Sequence, residues 1–320
     1  MKIHIPDSRI VSLNKINSDL KSFLENQGHT ISKDQISGDV IIQHFFKKRN
    51  IWKKFDKNIL IQPIDGTIIK ERYIRMLNEW DVIITPSFVG KKILIDNGIT
   101  TKIEVIPNYW EDEILIDNGF FSKKFVDKKW TFYTESSGWE RKNIKNLLNH
   151  FIDEFRNDKD VRLIIKLSEK RRTDIIIPKD IKCEIVIIDE HISKNNIFSL
   201  MINCDCYICL SFMEGFCIPL LNAAVLKKDI ICLDTKISGY KDFLNRENSI
   251  MISCKEIPIF NTKESISIYE TNSIWEEPDY NEYKTALRNS FENKYNFVKK
   301  FDFDDFRKEK IMNQYLEIIK

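Results

Sequence analysis

The sequence predicts an α/β protein made of two doubly wound domains, and three observations predict it. Short apolar runs alternate with helical patterns of about 10–15 residues, the signature of parallel sheets flanked by helices. These units fall into two series. Between the series, near Pro107 to Asp127 (PNYWEDEILIDNGFFSKKFVD), the periodicity is lost. A length of 320 residues leaves room for two cores of ordinary size.

Taken in order, Met1 to Ile5 reads as the first strand, and Leu13 to Asn26 as an amphipathic helix closed by Gly28. Apolar runs at Asp39 to Gln43, Ile59 to Gln62, Val82 to Ile84 and Ile103 to Ile106 complete a first sheet. The second series begins at Trp130 to Tyr133. It continues at Val161 to Leu167, Cys183 to Ile188, Cys206 to Leu210, Asp229 to Leu233 and Ser249 to Ile252. Beyond Glu264 the pattern turns mainly helical and ends in a long charged helix, Asp302 to Ile319. The expected division is residues 1–110, residues 111–295, and a C-terminal helix within 296–320 that packs back on the first domain.

With 42% apolar, 31% charged and 12% aromatic residues, the chain is that of a folded globular protein rather than a disordered one. The opening MKIHIPDSRI has no apolar h-region, and no run reaches the ~18 apolar residues of a membrane span, so a cytosolic protein is expected. The net charge of +2 is uneven: residues 1–110 carry 17 Lys and Arg against 12 Asp and Glu. The excess centres on FFKKRNIWKKFDK (Phe45 to Lys57), six basic residues interleaved with four aromatics. That segment reads as a solvated helix face, as a contact with an anionic membrane surface, or as one with nucleic acid. The seven cysteines, all between Cys183 and Cys254, are odd in number and sit partly inside apolar strands, which points to reduced thiols. Cys204, Cys206 and Cys209 are close in sequence, but with one CxxC and no nearby histidine they read as buried structural cysteines rather than a metal site.

In an open parallel sheet, ligands bind at the carboxyl ends of the strands. Two such ends stand out. After Trp130 to Tyr133, the segment TESSGWERKNIKNLL places Arg141 and Lys142 just before a helix, where the macrodipole favours anions. Two cations there make sense if an anion such as a diphosphate shares the place. After Cys206 to Leu210, the segment SFMEGFCIPLLNAAVL sets Glu214 and Gly215 in a turn. Gly215 lets backbone approach a ligand closely, Pro219 suits a helix's first turn, and Phe216, Cys217 and Ile218 offer backbone N–H groups. On the helical wheel Asn222 lies off the stripe formed by Leu220, Leu221, Ala224 and Val225.

SFMEGFCIPLLNA resembles the signature of retaining glycosyltransferases of the GT-B fold, glycosyltransferase family 4 in particular. There a Glu-Gly-Phe turn is followed, after seven intervening residues, by a second glutamate. The resemblance runs along nearly the whole chain. It takes in MKIHI with LKSFLENQGHTI, DVIITPSFVGKKILIDNGITTKIEVIPN, WERKNIKNLLNHFIDEF, CDCYICLSFMEGF, DTKISGYKDFLNRENSIMI and WEEPD (Trp275 to Asp279). It implies two Rossmann-like domains facing a central cleft, with the nucleotide-sugar donor on the second and the acceptor on the first.

Residue by residue, the resemblance implies that Arg141 and Lys142 bind the donor diphosphate. Glu214 would contact the transferred sugar, and Gly215 with the amides of Phe216, Cys217 and Ile218 would hold phosphate or sugar oxygens. Asn222 stands at the family's second glutamate, which grips the ribose. Lys166 and the loop through Glu190, His191 and Ile192 are candidates for the base. His44, ending an apolar strand, is a candidate on the acceptor side, although a histidine there is more often structural. No catalytic metal and no cofactor beyond the donor are expected. Departures are Asn222 itself, and Ser136 and Ser137 where many members have Gly-Arg. The first domain also lacks a glycine-rich acceptor loop, and QPIDG (Gln62 to Gly66) stands where relatives often present a histidine. The implied activity is hexose transfer with retention from a nucleoside-diphosphate sugar to a hydroxyl of a surface glycan or glycolipid. Alternatives are a phage or viral enzyme acting on a hydroxylated DNA base, and a degenerate member that binds a nucleotide-sugar without turnover.

Overall fold

Strands apolar on nearly every residue need cover on both faces, and both sheets of this protein receive it. The computed structural model describes residues 1–7, 11–32, 37–44, 54–167, 175–259, 268–293 and 302–320. The first unit comprises β1 (Lys2–His4), α1 (Val11–Asn26), β2 (Thr30–Ile31), β3 (Gly38–His44), β4 (Phe55–Ile61), α2 (Glu71–Leu77), β5 (Val82–Thr85), α3 (Phe88–Asp96) and β6 (Lys102–Val105). A short helix α4 (Phe120–Lys124) precedes the second unit. That unit runs through β7 (Trp130–Ser136), α5 (Ile144–Phe155), β8 (Val161–Leu167), β9 (Glu184–Ile188), α6 (Lys194–Asn203), β10 (Cys206–Cys209), α7 (Ile218–Val225), β11 (Asp229–Leu233) and β12 (Ile250–Ile252). The chain closes with β13 (Cys254–Pro258), β14 (Ile274–Pro278), α8 (Tyr280–Phe291) and α9 (Lys308–Ile319).

The first sheet is parallel throughout, in the order β2-β1-β3-β4-β5-β6. Strand alternation sends Ile42, Ile59 and Val82 to one face, where α1 supplies Leu20 and Leu24, and α9 supplies Ile311, Met312 and Tyr315. Ile41, Leu60 and Ile83 go to the other face, against Leu77, Ile93 and Leu94. The second sheet is also parallel, in the order β12-β11-β10-β7-β8-β9. Numbered within its own unit this is 3-2-1-4-5-6 read from β9, the dinucleotide-binding order, and its direction reverses between β7 and β10. In the first sheet the reversal falls between β1 and β3. Each reversal opens a crevice at the carboxyl ends of the strands.

The two units are joined by more than the chain. Glu111, in the aperiodic stretch, accepts from Lys15 of α1 at 3.0 Å and from Lys308 of α9 at 3.3 Å, and also pairs with Lys194 of α6. The loop after β4 meets the turn after β10: a Cβ on Gly215 would lie 3.2 Å from Pro63 Cβ and 3.3 Å from Ile64 O. The loop after β5 meets the turn after β11, where the Phe88 amide donates to Asp242 Oδ2 at 2.7 Å. The carboxyl edges of the two sheets therefore face one another.

Two expectations change. The stretch beyond Glu264, expected to be mainly helical, contains a strand at WEEPD: β14 pairs antiparallel with β13, Trp275 opposite Ile257. The last helix begins at Lys308, and Asp304–Phe306 form a separate 3-10 turn. Of the basic-aromatic segment Phe45 to Lys57, residues 45–53 lie outside the described residues. Among the described residues no helix is long and apolar enough to cross a membrane.

Candidate active site

At the reversal of the second sheet, the segments following β7 and β10 lie side by side. β7 ends at Ser136, and a turn through Gly138 (φ 74) leads to the 3-10 turn Glu140–Lys142. Asn143 at φ 55 then starts α5. Arg141 and Lys142 thus precede the helix in a turn of their own. The Phe212 amide donates to Arg141 O at 2.9 Å, and Asn143 Nδ2 donates to Leu210 O at 3.1 Å, which fastens this turn to the segment after β10.

Both cations are spoken for. Lys142 Nζ is 2.5 Å from Glu214 Oε1 and Arg141 Nη1 is 3.3 Å from Glu214 Oε2. Arg141 also donates to Met213 O and reaches Asp65 Oδ2 of the first unit at 3.6 Å. Glu214 is only 5% exposed. Burial by itself would raise its carboxyl, but the charges of Lys142 and Arg141 and hydrogen bonds from Lys142 and Ser211 outweigh burial and bring it down to about 2. Burial would likewise lower Lys142, and the Glu214 charge holds it above the ordinary range. The result is a nearly dry carboxylate clamped by two cations, whose positive charge is fixed in place but reaches another anion only when Glu214 gives it up.

The backbone around Glu214 is held by the next loop. Its amide donates to Ser238 Oγ at 3.0 Å, and the Gly239 amide donates to Glu214 O at 2.7 Å. That loop is fixed by Glu276 of β14, which accepts from the Thr235 hydroxyl and from the Lys236 amide at 3.1 Å. At Gly239 a Cβ would fall 2.1 Å from Gly215 O and 2.7 Å from Ser87 Cβ, so three chain segments converge where only glycine fits.

The turn after β10 delivers the amides that the sequence pointed to. Cys217 takes the left-handed conformation (φ 71) and α7 begins at Ile218, with Pro219 in its first turn. Among the described residues the amides of Phe216, Cys217 and Ile218 make no hydrogen bond. The Phe216 ring itself is buried, 5.1 Å from Phe243 and 6.1 Å from Phe306 between centroids. Asn222 lies half-buried on α7.

The remaining candidates lie on β8, beyond β9 and at the end of β3. Lys166 is buried on β8, in register with Glu135, and donates to Leu167 O. Glu190 and His191 are exposed beyond the end of β9, Glu190 4.0 Å from Lys124, and Ile192 packs on the core beside α6. His44 ends β3 at the reversal of the first sheet, 9% exposed. Neither ring nitrogen has a partner among the described residues, and burial pushes the imidazole down to about 4. Structure therefore brings Arg141, Lys142, Glu214, Gly215, Phe216, Cys217 and Ile218 together, with Lys166 reaching the same neighbourhood through Glu135, whose carboxyl feels both Lys166 and Lys142.

Sequence reasoning missed Glu135, Asp65 and Glu276. Glu135 lies on β7 with its amide 3.4 Å from the Tyr207 hydroxyl. Burial pushes its carboxyl up to about 7, against the pull of Tyr133, Lys166 and Lys142. A glutamate near the end of an otherwise apolar strand was the available signal. The cysteine reading is refined. Cys206 faces one side of the sheet and Cys209 the other, so they do not converge, and all seven cysteines are free thiols.

No family model matches the sequence, and no curated protein matches it. Solved structures do match in three dimensions. Sucrose-phosphate synthase from Thermosynechococcus elongatus superposes with a TM-score of 0.67 at 8% identity, over 99% of this chain and 97% of that one. Anabaena Alr3699/HepE, determined in complex with UDP and glucose, gives 0.63 at 11% identity, over 99% and 98%. The pneumococcal O-GlcNAc transferase GtfA, determined with UDP and GlcNAc, gives 0.57 at 11% identity over 94% of this chain. The chain spans 59% of that protein's length. With its two facing parallel sheets, this chain has the GT-B fold.

Proposed function

We propose that the protein is a retaining glycosyltransferase, similar to family 4, that moves a hexose from a nucleoside-diphosphate sugar to an acceptor hydroxyl. The observation that carries this reading is the pairing of Arg141 and Lys142 with Glu214 at the reversal of the second sheet. Breaking a sugar–phosphate bond leaves charge on a diphosphate, and cations fixed in advance at that place lower the barrier. On this reading Glu214, which pairs with both cations, stands in for the donor's anion before the donor binds. An arriving diphosphate takes over Arg141 and Lys142, assisted by the amides of Phe216, Cys217 and Ile218. Glu214, kept ionised by the two cations that remain beside it, then faces the reacting carbon, where a carboxylate stabilises oxocarbenium character.

The solved neighbours support the donor class: the HepE and GtfA structures were each determined with UDP and a sugar. Asn222, in place of the second glutamate, would hydrogen-bond a ribose hydroxyl without charge assistance. A glycan or glycolipid of the cell surface is the acceptor this reading takes. The acceptor binds on the first unit, and closure of the facing edges completes the site.

A thermal-shift panel of nucleoside diphosphates and nucleotide-sugars tests the reading, because a specific donor stabilises the fold by mass action. One nucleotide class is expected to raise the melting temperature, more so with its sugar attached. Glu214→Ala is expected to lower transfer on the order of 1000-fold while keeping, or tightening, diphosphate binding, since both cations lose their internal partner. No shift with any nucleotide, or full transfer by Glu214→Ala, would refute the assignment.

A further inference from the structure

The turn after β10 brings two thiols to Glu214, and the activity proposed above uses neither. Cys209 ends the strand and Cys217 precedes α7, so the turn folds the second thiol back over the first. Sγ of Cys209, Sγ of Cys217 and a Glu214 carboxylate oxygen all lie within 4.8 Å of one another, a set unique among the described residues. Ser211 borders the cluster, with Cys209 Sγ 3.6 Å from Ser211 Oγ. Cys217 is held at φ 71, a conformation glycine would adopt without strain, yet a thiol occupies it.

We propose that Cys209, Cys217 and Glu214 form a binding site for one thiophilic divalent cation, Zn2+, whose occupancy withdraws Glu214 from Lys142. Two thiolates and one carboxylate are a donor set that suits zinc, with the fourth position left to water. Metal–sulfur bonds of about 2.3 Å in a tetrahedron put ligand atoms roughly 3.6 Å apart, so the cluster has to contract by only about 1 Å. Binding releases the two thiol protons to solvent and changes no oxidation state. The three anionic ligands exceed the metal's charge by one, and Arg141 and Lys142 beside them offset that excess. Occupancy is inhibitory: it immobilises the carboxylate that the cations otherwise share. The proposal stands on the cluster's geometry, and metal binding reads it whether or not the protein transfers sugar.

The test titrates reduced, metal-free full-length protein with Cd2+ as a spectroscopic probe and with Zn2+ by calorimetry. One equivalent is expected to bind, with a thiolate-to-cadmium absorption sized for two sulfurs, release of protons, and displacement of Cd2+ by Zn2+. Cys217→Ser should weaken binding at least about 100-fold, beyond what loss of an outer-shell partner costs, and Cys209→Ser should do the same. Cys254→Ser, at a half-buried thiol outside the cluster, should bind as the parent does. Absence of the two-sulfur absorption in the parent protein would overturn the proposal, as would its persistence in Cys217→Ser. If Cys209→Ser fails to fold, the parent absorption and Cys217→Ser decide between the outcomes.

Discussion

The two facing edges of this molecule solve the problem of a buried polar group in opposite ways. At the edge of the second sheet, charge is concentrated and paired, with Glu214 between Lys142 and Arg141 and its carboxyl drawn down to about 2. At the edge of the first sheet, His44 is about as buried but keeps a neutral ring without a partner among the described residues, and its imidazole falls to about 4. Burial disfavours the charged form in both cases. The difference lies in whether neighbours of opposite sign are present among the described residues. One edge therefore holds a charged group in its charged form, and the other holds a titratable group in its neutral form.

The comparison breaks most severely if the backbone of the charged edge is disturbed. In Gly239→Ala the new Cβ meets Gly215 O at 2.1 Å, and a carbonyl held between two turns has no room to retreat. Overpacking at such a point is expected to cost about 3 kcal/mol or more, measured as a lowered urea midpoint, and to abolish nucleotide-induced stabilisation. Unchanged stability would mean that the three segments meeting there are far more pliant than described.

The next effect separates the edges by pH. The Glu214 carboxyl lies below its ordinary 4.5, so the stability it contributes is complete above pH 4.5 and is lost as pH falls towards 2. A difference of this size is on the order of 3 kcal/mol. Glu214→Gln should be less stable than the parent at pH 7 by a similar amount, because Lys142 and Arg141 lose their counter-ion. The two proteins should converge as pH approaches 2. Parallel stability curves from pH 7 to pH 2 would show that the carboxylate is not clamped.

Much of this was legible in the sequence, and the boundary has a physical cause. Alternating apolar runs such as Val161 to Leu167 report burial on both faces of a strand, so both sheets and most strand positions could be read directly. Arg141, Lys142 and Glu214 could be singled out because cations before a helix and a glutamate after an apolar strand contradict their surroundings. What could not be read was which of them would pair, since that depends on β7 and β10 becoming neighbours in the sheet. Glu276 was hidden for the same reason: its partner Thr235 is 41 residues away and meets it only after β14 has turned back. The cysteines show the limit most clearly. Proximity in sequence grouped Cys206 with Cys209, whereas strand alternation sends them to opposite faces and chain reversal brings Cys217 to Cys209 instead.

The smallest effect belongs to the uncharged edge. The His44 imidazole falls from an ordinary 6.5 to about 4, so the folded state binds its proton less readily than the unfolded one. The penalty is absent above pH 6.5 and grows as pH falls through the interval down to 4, reaching about 2 kcal/mol at pH 5. His44→Leu removes the titration and both ring nitrogens, which have no partner among the described residues. It should match the parent closely at pH 7 and exceed it at pH 5. Glu135, held up near 7, acts with the opposite sign between pH 4.5 and 7, losing stability as pH rises. The His44 effect must therefore be read as the difference between parent and variant at each pH. Because the Glu214 loss lies below 4.5 and the His44 loss largely above it, Glu214→Gln and His44→Leu should flatten separate portions of the acid limb. If His44→Leu gains nothing at pH 5, the ring takes up its proton in the folded state, and a counter-charge stands at the first edge as it does at the second.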